Sequence, residues 1–96
     1  MTKTNNSIFI AEGLSEGDKI RFTRLSKHLR QIDVASMAHV QVFEVTAIEK
    51  GRHLRKSSRI AILQVLELAT TQEIEYLNDF TRQINQQDDA GGDDNL

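Results

Sequence analysis

The sequence contains no cysteine, which excludes a disulfide framework, a thiolate zinc site and a cysteine nucleophile. Proline is also absent, so no fixed φ or missing N–H interrupts a compact run of helices. Long apolar runs are missing as well. None approaches the roughly 20 residues that a bilayer span requires, and the polar opening from Met1 to Asn6 has none of the apolar character of a secretory signal. The expectation is a soluble, intracellular chain, cytoplasmic and without a membrane partner.

What is present is ordinary for a small globular fold. The 96 residues suit one core rather than two, and 39% hydrophobic with 27% charged residues is not the composition of a disordered chain. The net charge of −2 conceals a segregation along the chain. Between Lys19 and Arg59, ten Lys and Arg face only Asp33, Glu44 and Glu49, a balance of +7. Residues 1–18 carry −2, and residues 60–96 carry −7, with Arg82 alone against eight acids. A basic middle between acidic ends favours a polyanionic partner, because the local field rather than the net charge attracts it. The plainer alternative is a solvated charged face.

Along the chain, residues 1–14 read as a polar arm, with the apolar run Ser7–Ala11 either packing on the body or forming an edge strand. Helix 1 is expected from Ser15 or Glu16 to His28, with Ser15 as N-cap and Phe22, Leu25 and Leu29 on its buried face. A second short helix spans Arg30–Ala38, with Val34, Met37 and Ala38 inward. His39 and Val40 break it. A third runs from Gln41 to Lys50, with Val45 and Ile48 buried and Gly51 as its stop. After a linker rich in Arg and Lys, Ser57 or Ser58 is expected to cap helix 4, from Arg59 to about Ala69. Thr70 and Glu73 match a capping box that opens helix 5, to about Gln87. The Asp- and Gly-rich residues 88–96 predict a disordered acidic tail. The fold class is therefore all-α, a five-helix bundle: residues 15–69 form the main domain and 70–87 a C-terminal helix.

The stretch Leu29–Gly51 carries the functional signal. Two short helices are joined by a turn at His39-Val40 that is too tight for them to lie antiparallel. Small Ala35 permits close backbone approach, and Val40, Val45 and Ile48 fill the angle. That is helix-turn-helix geometry, in which the second helix can enter a major groove about 12 Å wide.

On these residues the stretch resembles the Cro and phage-repressor (Xre) helix-turn-helix family. The matching positions are Leu29, Gln31, Val34, Ala35, Val40, Val45, Ile48, Glu49 and Gly51, nine with no gap. Upstream, Gly17 to Arg24 looks like the family's first helix, with Ile20, Arg21 and Arg24 in register. The resemblance covers about residues 17–69. It implies sequence-specific binding of double-stranded DNA by a homodimer that regulates transcription, most simply a repressor occluding a promoter beside the nucleoid. It implies that Gln31 hydrogen-bonds a phosphate, joined by Arg30 and by Arg52, Arg55 and Lys56 of the basic linker. It also implies a structural ion pair between Arg24 and Glu49, and base reading by Gln41, Val42, Phe43, Thr46 and Ala47, with Glu44 nearby.

Here the sequence departs from the family. The reading positions are largely apolar where the family carries polar side chains, and His39 stands where glycine is common. Three explanations stay open. Val42, Phe43 and Ala47 contact thymine methyls while Gln41 or Thr46 supplies hydrogen bonds, favouring A·T-rich sites. Or Val42 and Phe43 form a patch for a protein partner, as in an antitoxin-like or regulator-binding subunit. Or Phe43 is buried in the domain's own core. Glu44 counts against close phosphate contact, although it could accept from cytosine N4. In helix 5, Ile74, Leu77, Phe80 and Ile84 share one face, which either dimerises or completes the core of its own subunit.

Enzyme readings fail on inventory. His28, His39 and His53 lack the i, i+4 spacing of a helical metal pair. There is no Gly-rich phosphate loop, and the aspartates of the tail have the wrong spacing for a calcium loop. No catalysis, metal or cofactor is expected.

Overall fold

Five helices follow one another in the computed structural model, which describes residues 13–94, with side chains as far as residue 84. They are α1 Glu16–Ser26, α2 Gln31–Ala38, α3 Val42–Glu49, α4 Lys56–Val65 and α5 Thr71–Asp94. No strand occurs among the described residues. Residues 1–12, including the Ser7–Ala11 run, lie outside them. No helix is long and apolar enough to cross a membrane among the described residues.

The helix starts are chemically marked. Ser15 Oγ accepts from Asp18 N at 3.2 Å, and Thr70 and Glu73 close a reciprocal box at 2.9 and 3.1 Å. At the starts of α2 and α3, a carboxylate three residues into the helix accepts from the N-cap N–H: Asp33 from Arg30 at 2.8 Å and Glu44 from Gln41 at 2.9 Å.

The ends share one device. His28, His39, Gly51 and Glu67 all have φ between 59° and 80°. In each case the next N–H returns to the carbonyl five residues back: Leu29 to Arg24, Val40 to Ala35, Arg52 to Ala47 and Leu68 to Leu63, at 2.8–3.1 Å. These are Schellman stops. Three of the four place a side chain where glycine is favoured, at a cost of about 1–2 kcal/mol each.

The core is Ile20, Val34, Ala35, Ala38, Val45, Ile48, Ile62, Leu63 and Leu66, contributed by α1 to α4 and the residue after α4. Fully burying each large aliphatic stabilises by about 1.5–3 kcal/mol. Gly17 makes one junction possible. A Cβ there would lie 2.6 Å from the Glu49 carbonyl oxygen and 2.7 Å from that of Ile48. The N-terminus of α1 thus sits against the C-terminal carbonyls of α3, a favourable pairing of opposite dipole ends.

Several expectations are corrected. Phe22 and Leu25 do not form the inner face of α1. Phe22 is 61% exposed, and Gly17, Ile20 and Arg24 are the residues buried. The contact with Glu49 and the fit at Gly17 rotate that face inward. Met37 is 54% exposed, and Ala35 takes its place in the core beside Val34 and Ala38, because the close α2–α3 approach needs the smaller side chain. Helix α1 ends at Ser26, two residues before His28, which is its left-handed stop. Neither serine caps α4. The helix starts at Lys56 with Arg55 at the N-cap, and Ser58 is buried one turn in. It also ends earlier than Ala69, at Val65, stopped by Glu67. Finally, α5 continues past Gln87 to Asp94. With no proline to interrupt it, propagation adds one hydrogen bond per residue. Residues 88–94 are therefore helical rather than a disordered tail, and residues 95–96 lie outside the description.

Candidate nucleic-acid interface

In α3, the buried positions Glu44, Val45 and Ile48 define the inner face. At about 100° per residue, Val42, Phe43, Thr46, Ala47 and Lys50 fall on the other side. Phe43 is 69% exposed and Val42 39%, so neither belongs to the core. The option of a buried Phe43 is corrected: Val45 and Ile48 already fill the angle behind α3. Gln41 is exposed at the N-cap, whereas Thr46 and Ala47 are half-buried.

A polar chain ties this face to the rest of the domain. Arg24 donates twice to the Glu49 carboxylate, at 2.5 and 3.1 Å, and once to the Leu29 carbonyl at 2.9 Å. The pair is largely buried, with side-chain exposures of 9% and 4%. Gln31 Nε2 donates to Glu49 Oε1 at 3.0 Å, and Thr46 Oγ1 donates to Gln31 Oε1 at 2.8 Å. Arg24 and Glu49 therefore join α1 to α3, and Gln31, at the first position of α2, spans to Thr46 within α3. The expected phosphate role of Gln31 and the expected hydrogen bond from Thr46 to a base must both be fitted around these contacts.

Glu44 is not a base reader. It is buried, with its carboxylate hydrogen-bonded by Ser58 and by Gln41 N, and Arg55 Nη2 lies 3.6 Å away. These groups, led by the Ser58 hydroxyl, outweigh desolvation and hold its pKa below the ordinary range. An acid at the third helical position was the local signal for this role.

The expected phosphate-binding cations differ in availability. Arg30 is bound to Asp33 at 3.0 and 3.1 Å, which raises the arginine pKa and lowers that of the aspartate, chiefly through the side-chain hydrogen bonds. Arg55 faces Glu44 but stays exposed. Arg52 and Lys56 are exposed and have no carboxylate partner among the described residues. Lys56 Nζ lies 4.2 Å from the Tyr76 ring centroid, a cation–π contact onto α5. Arg52, His53, Arg55 and Lys56 line an open cleft of about 550 Å³ with Arg59 and Glu16. Two further basic residues, Lys50 and Arg59, belong to this region. Lys50 is exposed at the end of α3, two helical turns beyond Phe43, and that spacing was the available signal. Arg59 binds Glu16 at 2.6 and 2.9 Å and Glu73 at 3.0 Å. Its own pKa is raised by these bonds, with Glu16 first. Its partners are 43 and 14 residues away, so no local pattern announced them.

On α5, Ile74, Leu77 and Phe80 are half-buried and Ile84 is 39% exposed. Tyr76 and Phe80 stack with centroids 6.2 Å apart. Leu77, Phe80 and Ile84 form one wall of a shallow cleft of about 270 Å³, whose floor includes Ala38, Val40 and Ala61. The first turns of α5 thus pack on the rest of the chain, and exposure increases toward Ile84.

Comparison with protein-family models, with curated proteins and with solved structures finds no match to this chain.

Proposed function

We propose that this is a helix-turn-helix domain of the phage-repressor type that binds double-stranded DNA as a homodimer and regulates transcription, most simply as a repressor. The observation that carries the reading is the outward face of α3. It stands free of the core, is fixed to α2 by a left-handed turn at His39, and is followed by a linker and the start of α4, where Arg52 and Lys56 have no acidic partner among the described residues. A helix with its side chains is about 10–12 Å across, which suits entry into a major groove about 12 Å wide. Arg52, Lys56, Arg55 and Lys50 supply phosphate contacts that position the chain without reading sequence. Arg30 joins them by exchanging Asp33 for phosphate. The exposed end of α5 around Ile84 provides the dimer contact, setting two half-sites about 34–36 Å apart.

Duplex affinity measured against salt tests this directly. The log–log plot should be steep, and Arg52→Ala or Lys56→Ala should each reduce the slope by about one unit. A salt-independent association, or slopes unchanged by both substitutions, contradicts the reading. One observation favours a second reading, a protein-interaction module: Phe43 and Val42 are exposed side by side at the start of α3. In that case Phe43→Ala abolishes partner capture and leaves duplex retention unchanged.

A further inference from the structure

We propose that α3 reads 5-methylpyrimidines, because a chain of hydrogen bonds from Arg24 commits the Thr46 hydroxyl proton inward and leaves the middle of the outward face apolar. This inference rests on the reading of α3 as a groove-binding helix. The Glu49 carboxylate, held by Arg24, can only accept. The Gln31 amide atom 3.0 Å from it must therefore be Nε2, which turns Oε1 toward Thr46. That oxygen also only accepts, so at 2.8 Å the Thr46 hydroxyl must be the donor. Thr46 is left with an acceptor lone pair and a γ-methyl.

Beside it, Val42, Phe43 and Ala47 have no polar side-chain atom. Donors remain only at the two ends of the helix, on Gln41 and Lys50. Guanine offers two acceptors to the major groove, which this middle section cannot serve. An A·T pair offers the thymine C5-methyl for burial, and that contact needs no hydroxyl from Thr46. The face therefore selects A·T pairs with thymine placed against Phe43 and Val42; 5-methylcytosine supplies the same methyl but brings the unserved guanine acceptors with it, so it ranks between thymine and cytosine.

The test uses the full chain and a duplex selected from a random pool, remade with uracil in place of thymine. Burial of a methyl group implies a loss of about fourfold in affinity per contacted thymine, with the salt slope unchanged. Phe43→Ala, a surface change, should narrow the thymine-to-uracil ratio, whereas Thr46→Val should select the same consensus as the original chain. Equal affinity for the uracil duplex overturns the inference while duplex binding itself stands. So does a new consensus from Thr46→Val, which would reveal a Thr46 hydroxyl that reads a base. Failure to retain any duplex overturns both this inference and the reading beneath it.

Discussion

Replacing Glu49 by alanine removes two hydrogen bonds from Arg24 and one from Gln31. It leaves a guanidinium whose side chain is only 9% exposed with the Leu29 carbonyl as its remaining partner. Stranding one member of a buried pair costs about 3–5 kcal/mol, a large part of the roughly 5–15 kcal/mol that holds a domain together. At about 4–8 °C per kcal/mol for a domain of this size, Tm should fall by at least about 12 °C. The loss should persist at high salt, because buried pairs are poorly screened. Thermal unfolding followed by circular dichroism, at two ionic strengths, measures it. The double change Arg24→Met with Glu49→Leu should recover much of the loss, since an apolar pair of similar size avoids the desolvation cost. A Glu49→Ala loss below about 1 kcal/mol, the range of exposed pairs, would refute the reasoning. So would a double variant no more stable than the single one.

Gly17→Ala should destabilise by about 3 kcal/mol, since the new Cβ meets backbone oxygens at 2.6 and 2.7 Å that no side-chain rotation can move; chemical denaturation reads this, and an unchanged midpoint argues against the α1–α3 junction. His39→Gly should stabilise by up to about 1 kcal/mol, the relief of left-handed strain less the backbone entropy of glycine, seen as a rise in Tm of a few degrees. Glu44 and Glu73 are held below the ordinary glutamate range, by Ser58 and by the Thr70 N–H respectively as the leading causes. Between the folded and unfolded values the folded state binds fewer protons, so this stability is complete above about pH 4.5 and is lost as pH falls through the folded values. Denaturation midpoints measured against pH should fall over that window, and less steeply for Glu44→Gln.

Much of the fold was legible because its signals are local. Ser15 and the Thr70–Glu73 pair mark helix starts through bonds three residues long, and Gly51 marks a stop that suits its φ of +80°. The face of α1 was not legible from spacing. Phe22, Leu25 and Leu29 satisfy a helical stripe, but the inward face is set by Arg24 and Gly17, whose contacts lie 25 or more residues away. The stops at His28 and Glu67 were missed because their side chains give no hint of a left-handed backbone. In the candidate site, family resemblance supplied the Arg24–Glu49 pair and the outward positions of α3. It placed Gln31 on a phosphate, and gave no sign that the amide also spans Glu49 and Thr46. The sequence leaves Glu44 near the reading positions, able to accept from cytosine N4, but it is a buried N-terminal acceptor of α3. Such assignments depend on which side of an eight-residue helix turns inward, and one residue of rotation exchanges the roles.

Amide chemical-shift mapping of the full chain titrated with duplex DNA at near-physiological salt tests the central claim most directly. The account predicts the largest changes at Gln41–Ala47 and Arg52–Lys56, together with a two-fold symmetric complex. Perturbations centred on α5 or on the outer face of α1, or none with any duplex, would contradict it.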